Sequence, residues 1–336
     1  MPDTQTVALA PRTGGAVSPA SPRQAAVGPP IVLSFDVEEH DRIEAAVGLS
    51  VSAGRRREYA DRMAAATHRL LDQLAAAGNV SATFYVVGQI AETHPRLVRA
   101  IADAGHEIGS HSHSHTRVHR LTPRAFREDL RRSVDALQQV TGRPVFGFRA
   151  PTFSVTRATD WAVDALIESG LRYDSSVFPV RHDRYGVSDA PRHPFWLEGE
   201  AGRILELPLL TLRLMGRNVP VAGGGYFRLF PPALMRAGLR QLPADAAVGM
   251  LYFHPWEFDP DQPRLPLARV SRWRTYVGVG KTTDRLNELL TRYRGRFRRA
   301  IDVAEELEDQ ADRLPRFRLA VDPAAVINSV YSPSAA

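Results

Sequence analysis

A chain of 336 residues has room for one large domain or two ordinary ones, and 44% hydrophobic with 24% charged residues is an ordinary globular composition. The formal charge of +6 invites a polyanion, but the cations are almost all arginines scattered along the chain, with Lys281 the one lysine. This reads as composition bias, and no nucleic-acid partner is expected. There is no cysteine, so disulfides are excluded and any metal site must use histidine and carboxylate.

Residues 1–29, rich in Ala, Pro, Ser and Gly, read as a disordered tail that is neither signal peptide nor membrane helix. No later run is long enough for a membrane span, so no integral membrane segment is expected and a cytoplasmic protein is the default. Ile31 to Phe35 is a short apolar run ending at Asp36, the pattern of a buried strand with a carboxylate at its C-terminal end. Residues 41–60, with Arg55-Arg56-Arg57, read as a loop and a solvated face. Asp61 to Ala77 has helical spacing and stops at Gly78.

Val80 to Val87 is β-branched and aromatic, hence a strand, followed by a helix from Pro95 to Ala104 and a strand from His106 to Ser110. Thr122-Pro123 opens a helix running to about Val140. Strand Val145–Phe148, helix Thr156–Ser169 and strand Leu171–Tyr173 continue the alternation. Beyond about 180 the sequence is rich in Pro and Gly, with a strand at Ile204–Leu210. Gly223-Gly224-Gly225 suggests either a tight turn or a close approach to a ligand. Helix Pro231–Leu242, strand Val248–Phe253, helix Thr282–Tyr293 and a charged helix within 298–312 complete the reading, and 322–336 is expected to fray. Gly278-Val279-Gly280-Lys281-Thr282 is no phosphate loop, because Thr275 stands where that motif needs glycine.

Such alternation predicts an α/β fold with a parallel sheet and crossover helices, open or closed into a barrel. In these folds chemistry collects at the C-terminal ends of strands, where Asp36, His111, Arg149 and Asp174 all fall. Gly109 to His115 carries three histidines. His111 and His115 share a side if that segment is helical, and His111, His113 and His115 share one if it is extended. On a strand, Asp36 and Glu38 point the same way; with His111 and His115 they offer the two-histidine-plus-carboxylate set of hydrolytic metal sites. His254, ending the last strand, is the candidate general acid, and Arg149 could hold a buried carboxylate ionised.

Asp36 with its acidic neighbours, His111-x-x-x-His115, Arg149-Ala-Pro151, Tyr173-Asp174-Ser-Ser and Leu251-Tyr-Phe-His254-Pro-Trp256 occur in the order of the polysaccharide deacetylases, the NodB-homology or carbohydrate esterase family 4 enzymes, which residues 30–295 resemble. The wording SFDVEEH, HSHSHTRVH, YDSSVFPVRHDRYG and YFHPWEFDPDQPR further resembles the subgroup associated with exosortase and exopolysaccharide gene clusters, whose C-terminal extension would begin at about 200. Residues 296–336 are then expected to be a charged helical tail with a frayed end.

The resemblance implies a distorted (β/α) barrel of about seven parallel strands and a divalent metal, Zn²⁺ first, with Co²⁺, Ni²⁺ or Mn²⁺ as alternatives. It implies hydrolysis of N-acetyl groups on an amino-sugar polysaccharide or a lipid-linked oligosaccharide. Such a protein would associate with the exopolysaccharide synthesis machinery, in the cytoplasm or at the inner face of the membrane. By motif position Asp36 is the general base, His111 and His115 are metal ligands, Arg149 orients the base, His254 is the general acid and Asp174 tunes that acid. Pro151, Tyr226 and Trp256 are expected to bind substrate.

The family's usual pattern has two adjacent aspartates, whereas Val37 follows Asp36 here. Glu38 is assigned as the third ligand because it shares a face with Asp36, with Glu39 as the alternative and His113 placed behind the ligands or in the pocket. Two other functions fit the same residues: hydrolysis of a small amide or cyclic imide, and carbohydrate binding without turnover.

Overall fold

The computed structural model describes residues 28–182, 185–244 and 247–320. Nearly all of the expected N-terminal tail, and the expected frayed end, lie outside those residues. Strand β1 (Ile31–Val37) is buried along its whole length, which is why it reads as a continuous apolar run rather than an alternating one. It is followed by α1 (Ala53–Ala76), β2 (Thr83–Val86), α2 (Gly88–Thr93), α3 (Pro95–Asp103), β3 (Glu107–Ser110), α4 (Pro123–Thr141), β4 (Gly147–Phe148), α5 (Ala162–Glu168) and β5 (Tyr173–Asp174). The second half contains β6 (Phe195–Glu198), β7 (Arg203–Glu206), the hairpin β8 (Thr211–Leu214) and β9 (Arg217–Pro220), α6 (Gly224–Leu229), α7 (Pro232–Arg240) and β10 (Gly249–Phe253). It ends with α8 (Arg269–Tyr276), α9 (Thr282–Arg292), β11 (Phe297–Arg298), α10 (Ala300–Glu308) and β12 (Arg316–Arg318).

The strands β10, β1, β2, β3, β4, β5 and β7 are neighbours in that order, and every pair is parallel. Past β7 the chain turns back to β10, where Leu209 bridges Met250 and the Leu210 N–H donates to the Met250 carbonyl at 3.0 Å. These contacts close a seven-stranded barrel that is irregular at β4, β5 and the β7–β10 seam. The register sets Val37 beside Val86, Val86 beside Ser110, Ser110 beside Phe148, Phe148 beside Asp174, and Asp174 beside Glu206. His111, Arg149 and His254 each follow directly on a strand end, so one rim of the barrel collects them all.

Several expectations shift. Helix α1 begins eight residues before Asp61, with Ser52 as N-cap accepting from the Arg55 N–H. The three arginines lie in its first turns rather than in a loop, and Tyr59 is the one buried side chain there, so the segment has no apolar periodicity to read. The expected helix from Thr156 starts as a 3₁₀ turn, Arg157–Thr159, and becomes α-helical only at Ala162.

The described residues from 296 onward are not a tail. β11 pairs with β1, and α10 buries Ile301, Val303, Ala304 and Leu307. The Ala300 and Ile301 N–H groups donate to Thr83 Oγ1 and Glu107 Oε2 at 2.8 and 2.9 Å, closing the barrel end away from the histidines. β12 pairs with β6, outside the barrel ring. Of the three glycines, Gly223 serves the backbone: a Cβ there would lie 1.8 Å from the Tyr252 carbonyl oxygen, against which that segment bridges β10, whereas Gly225 lines the cavity at the rim. No helix among the described residues is long and apolar enough to cross a membrane.

Candidate active site

The end of β1 supplies two carboxylates. Val37 points into the core, so Asp36 and Glu38 face the rim together, while Glu39 turns aside to pair with Arg42. Asp36 Oδ1 accepts from Arg149 Nη1 at 2.8 Å, and the same nitrogen donates to Ser34 Oγ at 2.7 Å. Arg149 is fully buried. Its Nε and Nη2 donate to the carbonyl and hydroxyl of Ser175 at 3.3 and 3.0 Å, and its guanidinium lies 4.1 Å from the Tyr85 ring centroid. A buried cation with four of its five N–H donors engaged is fixed in place, and it fixes the carboxylate it touches.

The loop after β3 brings in the histidines. His111 Nδ1 meets the Arg149 carbonyl at 2.7 Å, so Nδ1 carries the proton and Nε2 is left as a lone pair facing Glu38 at 3.9 Å. Burial brings the His111 imidazole down to about 4, keeping it neutral. His115 Nε2 contacts Glu38 Oε2, and the two histidine rings lie 5.0 Å apart. Neither helix nor strand produces this pairing. Ser112 and His115 are in the left-handed region (φ 62° and 57°), and the turn is held by Asp129 on α4. Asp129 accepts from the His113 and Ser114 N–H groups at 2.6 and 3.1 Å and from the Ser114 hydroxyl. His113 itself points away, packing against Gly88 at the start of α2, and does not line the pocket.

Glu38, His111 and His115 each present a ligand atom within 4.8 Å of the other two. Two imidazole nitrogens and a carboxylate, one histidine anchored by a backbone carbonyl, form a donor set that suits a divalent cation such as Zn²⁺ and leaves a coordination position open. Burial alone would push the Glu38 carboxyl up, but the charge and hydrogen bond of His115, with His254 and His111 nearby, bring it down to about 2. It is therefore ionised, as a ligand must be.

His254 faces this group, with Nε2 3.7 Å from Glu38 Oε1. Its Nδ1 lies 2.8 Å from Glu257 Oε1, in a 3₁₀ turn (Pro255–Phe258) that follows β10 directly. Burial would lower the imidazole, but the hydrogen bond to Glu257 and the Glu38 charge raise it to about 9. Glu257 is completely buried and accepts from Arg228 Nε at 2.6 Å, and Arg228 Nη1 donates to the Thr275 and Val277 carbonyls. The carboxylate beside His254 is thus Glu257. Asp174 does not reach that histidine: it is buried at the end of β5 with Ser176 and Glu206, because the register carries it under the rim.

The rim opens on a cavity of about 550 Å³ lined by Asp36, Glu38, His111, His115 and His254. Tyr226 and Trp256 line it, whereas Pro151 is buried outside it and its neighbours Thr152 and Phe153 take the wall instead. Those two also have left-handed backbones (φ 56° and 50°), so the turn after Arg149 swings the following side chain inward. Tyr185 and Tyr252 complete an aromatic wall suited to the faces of a sugar.

A polysaccharide deacetylase family model matches residues 40–172, and a domain of unknown function (DUF3473) matches 175–304. The boundary falls inside the barrel, whose β7 and β10 belong to the second match. The peptidoglycan deacetylase of Helicobacter pylori is 30% identical over 99 residues, 30% of this chain and 33% of that protein. The peptidoglycan-N-acetylglucosamine deacetylase of Bacillus cereus is 29% identical over 121 residues, 32% of this chain and 44% of that protein. The chain thus spans less than half the length of these relatives. A crystal structure from Mycobacterium smegmatis described as a polysaccharide deacetylase superposes with a TM-score of 0.59 at 23% identity, covering 92% of this chain and 99% of that one. Puue allantoinase superposes at 0.55 with 15% identity, covering 88% and 98%. At these identities the likeness speaks to the fold alone.

Proposed function

We propose that the chain, whose residues 40–172 match the polysaccharide deacetylase family model, is a metal-dependent hydrolase removing N-acetyl groups from an amino-sugar polysaccharide or its lipid-linked precursor. The observation that carries this reading is the convergence of Glu38, His111 and His115 within 4.8 Å, with Asp36 and His254 lining the same cavity. Residues Glu38, His111 and His115 would hold the cation, which when bound lowers the pKa of water and polarises an acyl carbonyl.

The remaining work falls to the chain. Asp36, with one oxygen held by Arg149, keeps the other for the proton of the attacking water. His254, protonated at neutral pH, donates from Nε2 to the departing sugar amine, and Glu257 holds the ring through Nδ1. Water adds to the acetamide carbon, the C–N bond breaks, and acetate and a free amine leave. The wall of Phe153, Tyr226, Tyr252 and Trp256 excludes water around the acetyl group and sets the sugar plane.

The sequence resemblance to the exosortase-associated subgroup supports exopolysaccharide biosynthesis as the setting, with the polymer or precursor met in the cytoplasm or at the membrane's inner face beside the synthesis machinery. Acetate release from N-acetylglucosamine oligosaccharides, absent in His254→Ala, tests the reading. Ring opening of a small cyclic imide without acetate release would replace it.

A further inference from the structure

Beneath the rim, the mechanism leaves two buried carboxyls unused. Asp174 and Glu206 are register partners at the ends of β5 and β7, and both have no solvent exposure. Asp174 Oδ2 and Glu206 Oε2 have no donor from any other described residue. Two ionised carboxylates are acceptors only, so seating them side by side in a dry interior with an unpartnered oxygen on each calls for a proton. Arg149, just past the end of β4, faces them but is itself committed to Asp36. Burial raises both carboxyls, Asp174 to about 6 and Glu206 well above the usual carboxylate range.

What the pair grips is the turn Ser175–Val177. Asp174 Oδ1 accepts from Ser176 Oγ at 2.5 Å, and Glu206 Oε1 accepts from the Val177 N–H at 3.0 Å. That turn holds Arg149: the Ser175 carbonyl and hydroxyl take two of its donors, and Ser176 Oγ accepts from the Ala150 N–H at 2.8 Å. We propose that Asp174 and Glu206 share one proton and act as a single positioning clamp, holding the Ser175–Ser176 turn so that Arg149 aims Asp36 at the cavity. The clamp acts on the base side of the site, whereas Glu257 serves the acid side. The kinetic consequence rests on the reading of Asp36 as general base; the shared proton does not.

The amide variants Asp174→Asn and Glu206→Gln put a permanent N–H where the proton sits, and the alanine variants leave a hole. Infrared difference spectra of wild-type against each amide variant at neutral pH should show the C=O stretch of one protonated carboxylic acid lost in both. Crystal structures should keep the Arg149–Asp36 contact in the amide variants and lose it in Asp174→Ala and Glu206→Ala. With an N-acetylglucosamine oligosaccharide, kcat should stay within about threefold of wild-type for the amides and fall about 10- to 100-fold for the alanines, at unchanged KM and zinc affinity. No acid band, or an unmoved Arg149–Asp36 contact in both alanine variants, would overturn the clamp. A wild-type protein that keeps both of these features yet releases no acetate would overturn the deacetylase reading instead.

Discussion

Arg149 Nη1 lies 2.8 Å from Asp36 Oδ1, and the two side chains are 0% and 3% exposed. A cation and an anion joined inside a barrel make each other affordable, and neither can be removed cleanly. Arg149→Met strands Asp36 as an unpaired buried charge, so stability should fall by about 3–5 kcal/mol. Urea unfolding of the metal-free protein measures this, and a loss under about 1 kcal/mol would mean that the pair is not a structural strut.

Asp36→Asn keeps the shape and removes the basicity. Turnover should drop about 10²- to 10⁴-fold while zinc binding stays at wild-type affinity, because the ligand set excludes Asp36. Calorimetric zinc titration alongside acetate release checks both halves. Loss of zinc with loss of turnover would move Asp36 into the ligand set.

Glu38→Gln should abolish tight zinc binding, whereas Glu39→Gln should leave it unchanged, since Glu39 faces Arg42. The reverse pattern in the same titration would exchange the two roles.

Asp129 anchors the histidine turn from α4 and is not one of the converging ligand residues. Asp129→Ala frees two buried N–H groups and a hydroxyl, so zinc affinity should weaken about 10- to 100-fold with the ligands intact. An unchanged affinity would show that the turn keeps its shape without its anchor.

The raised imidazole of His254 has a definite sign. In the metal-free protein its folded value of about 9 exceeds the unfolded 6.5, so its charge contributes stability in full below pH 6.5 and loses that contribution as pH rises to about 9. The unfolding midpoints of wild-type and His254→Gln should therefore draw together across that window. An NMR titration should place His254 well above 6.5 in wild-type and lower in Glu257→Gln. A midpoint that ignores Glu257 would detach the carboxylate from the acid.

Much of this site was legible because period-two geometry and strand ends are local properties. Asp36 and Glu38 share a face by alternation, and the apolar runs before Asp36, Arg149 and His254 announced their strands. What was not legible depends on register and on turns. Asp174 seemed suited to serve His254 by motif order, but the β5–β7 register places it against Glu206, while Glu257, three residues from His254, needs only a 3₁₀ turn to reach it. Asp129 sits mid-helix with nothing local to mark it, and the left-handed backbones of Thr152 and Phe153 put Pro151 outside the cavity it was expected to line. The Ser-His-Thr-Arg surroundings of His115 give no hint that the loop turns there, because the turn is held from α4.

The most direct measurement is acetate release from an N-acetylhexosamine oligosaccharide by metal-stripped protein, before and after one equivalent of Zn²⁺ is restored. The account expects no release from the stripped protein, recovery on adding zinc, and no recovery in His111→Ala. Equal release with and without metal, or none with zinc demonstrably bound, would contradict it.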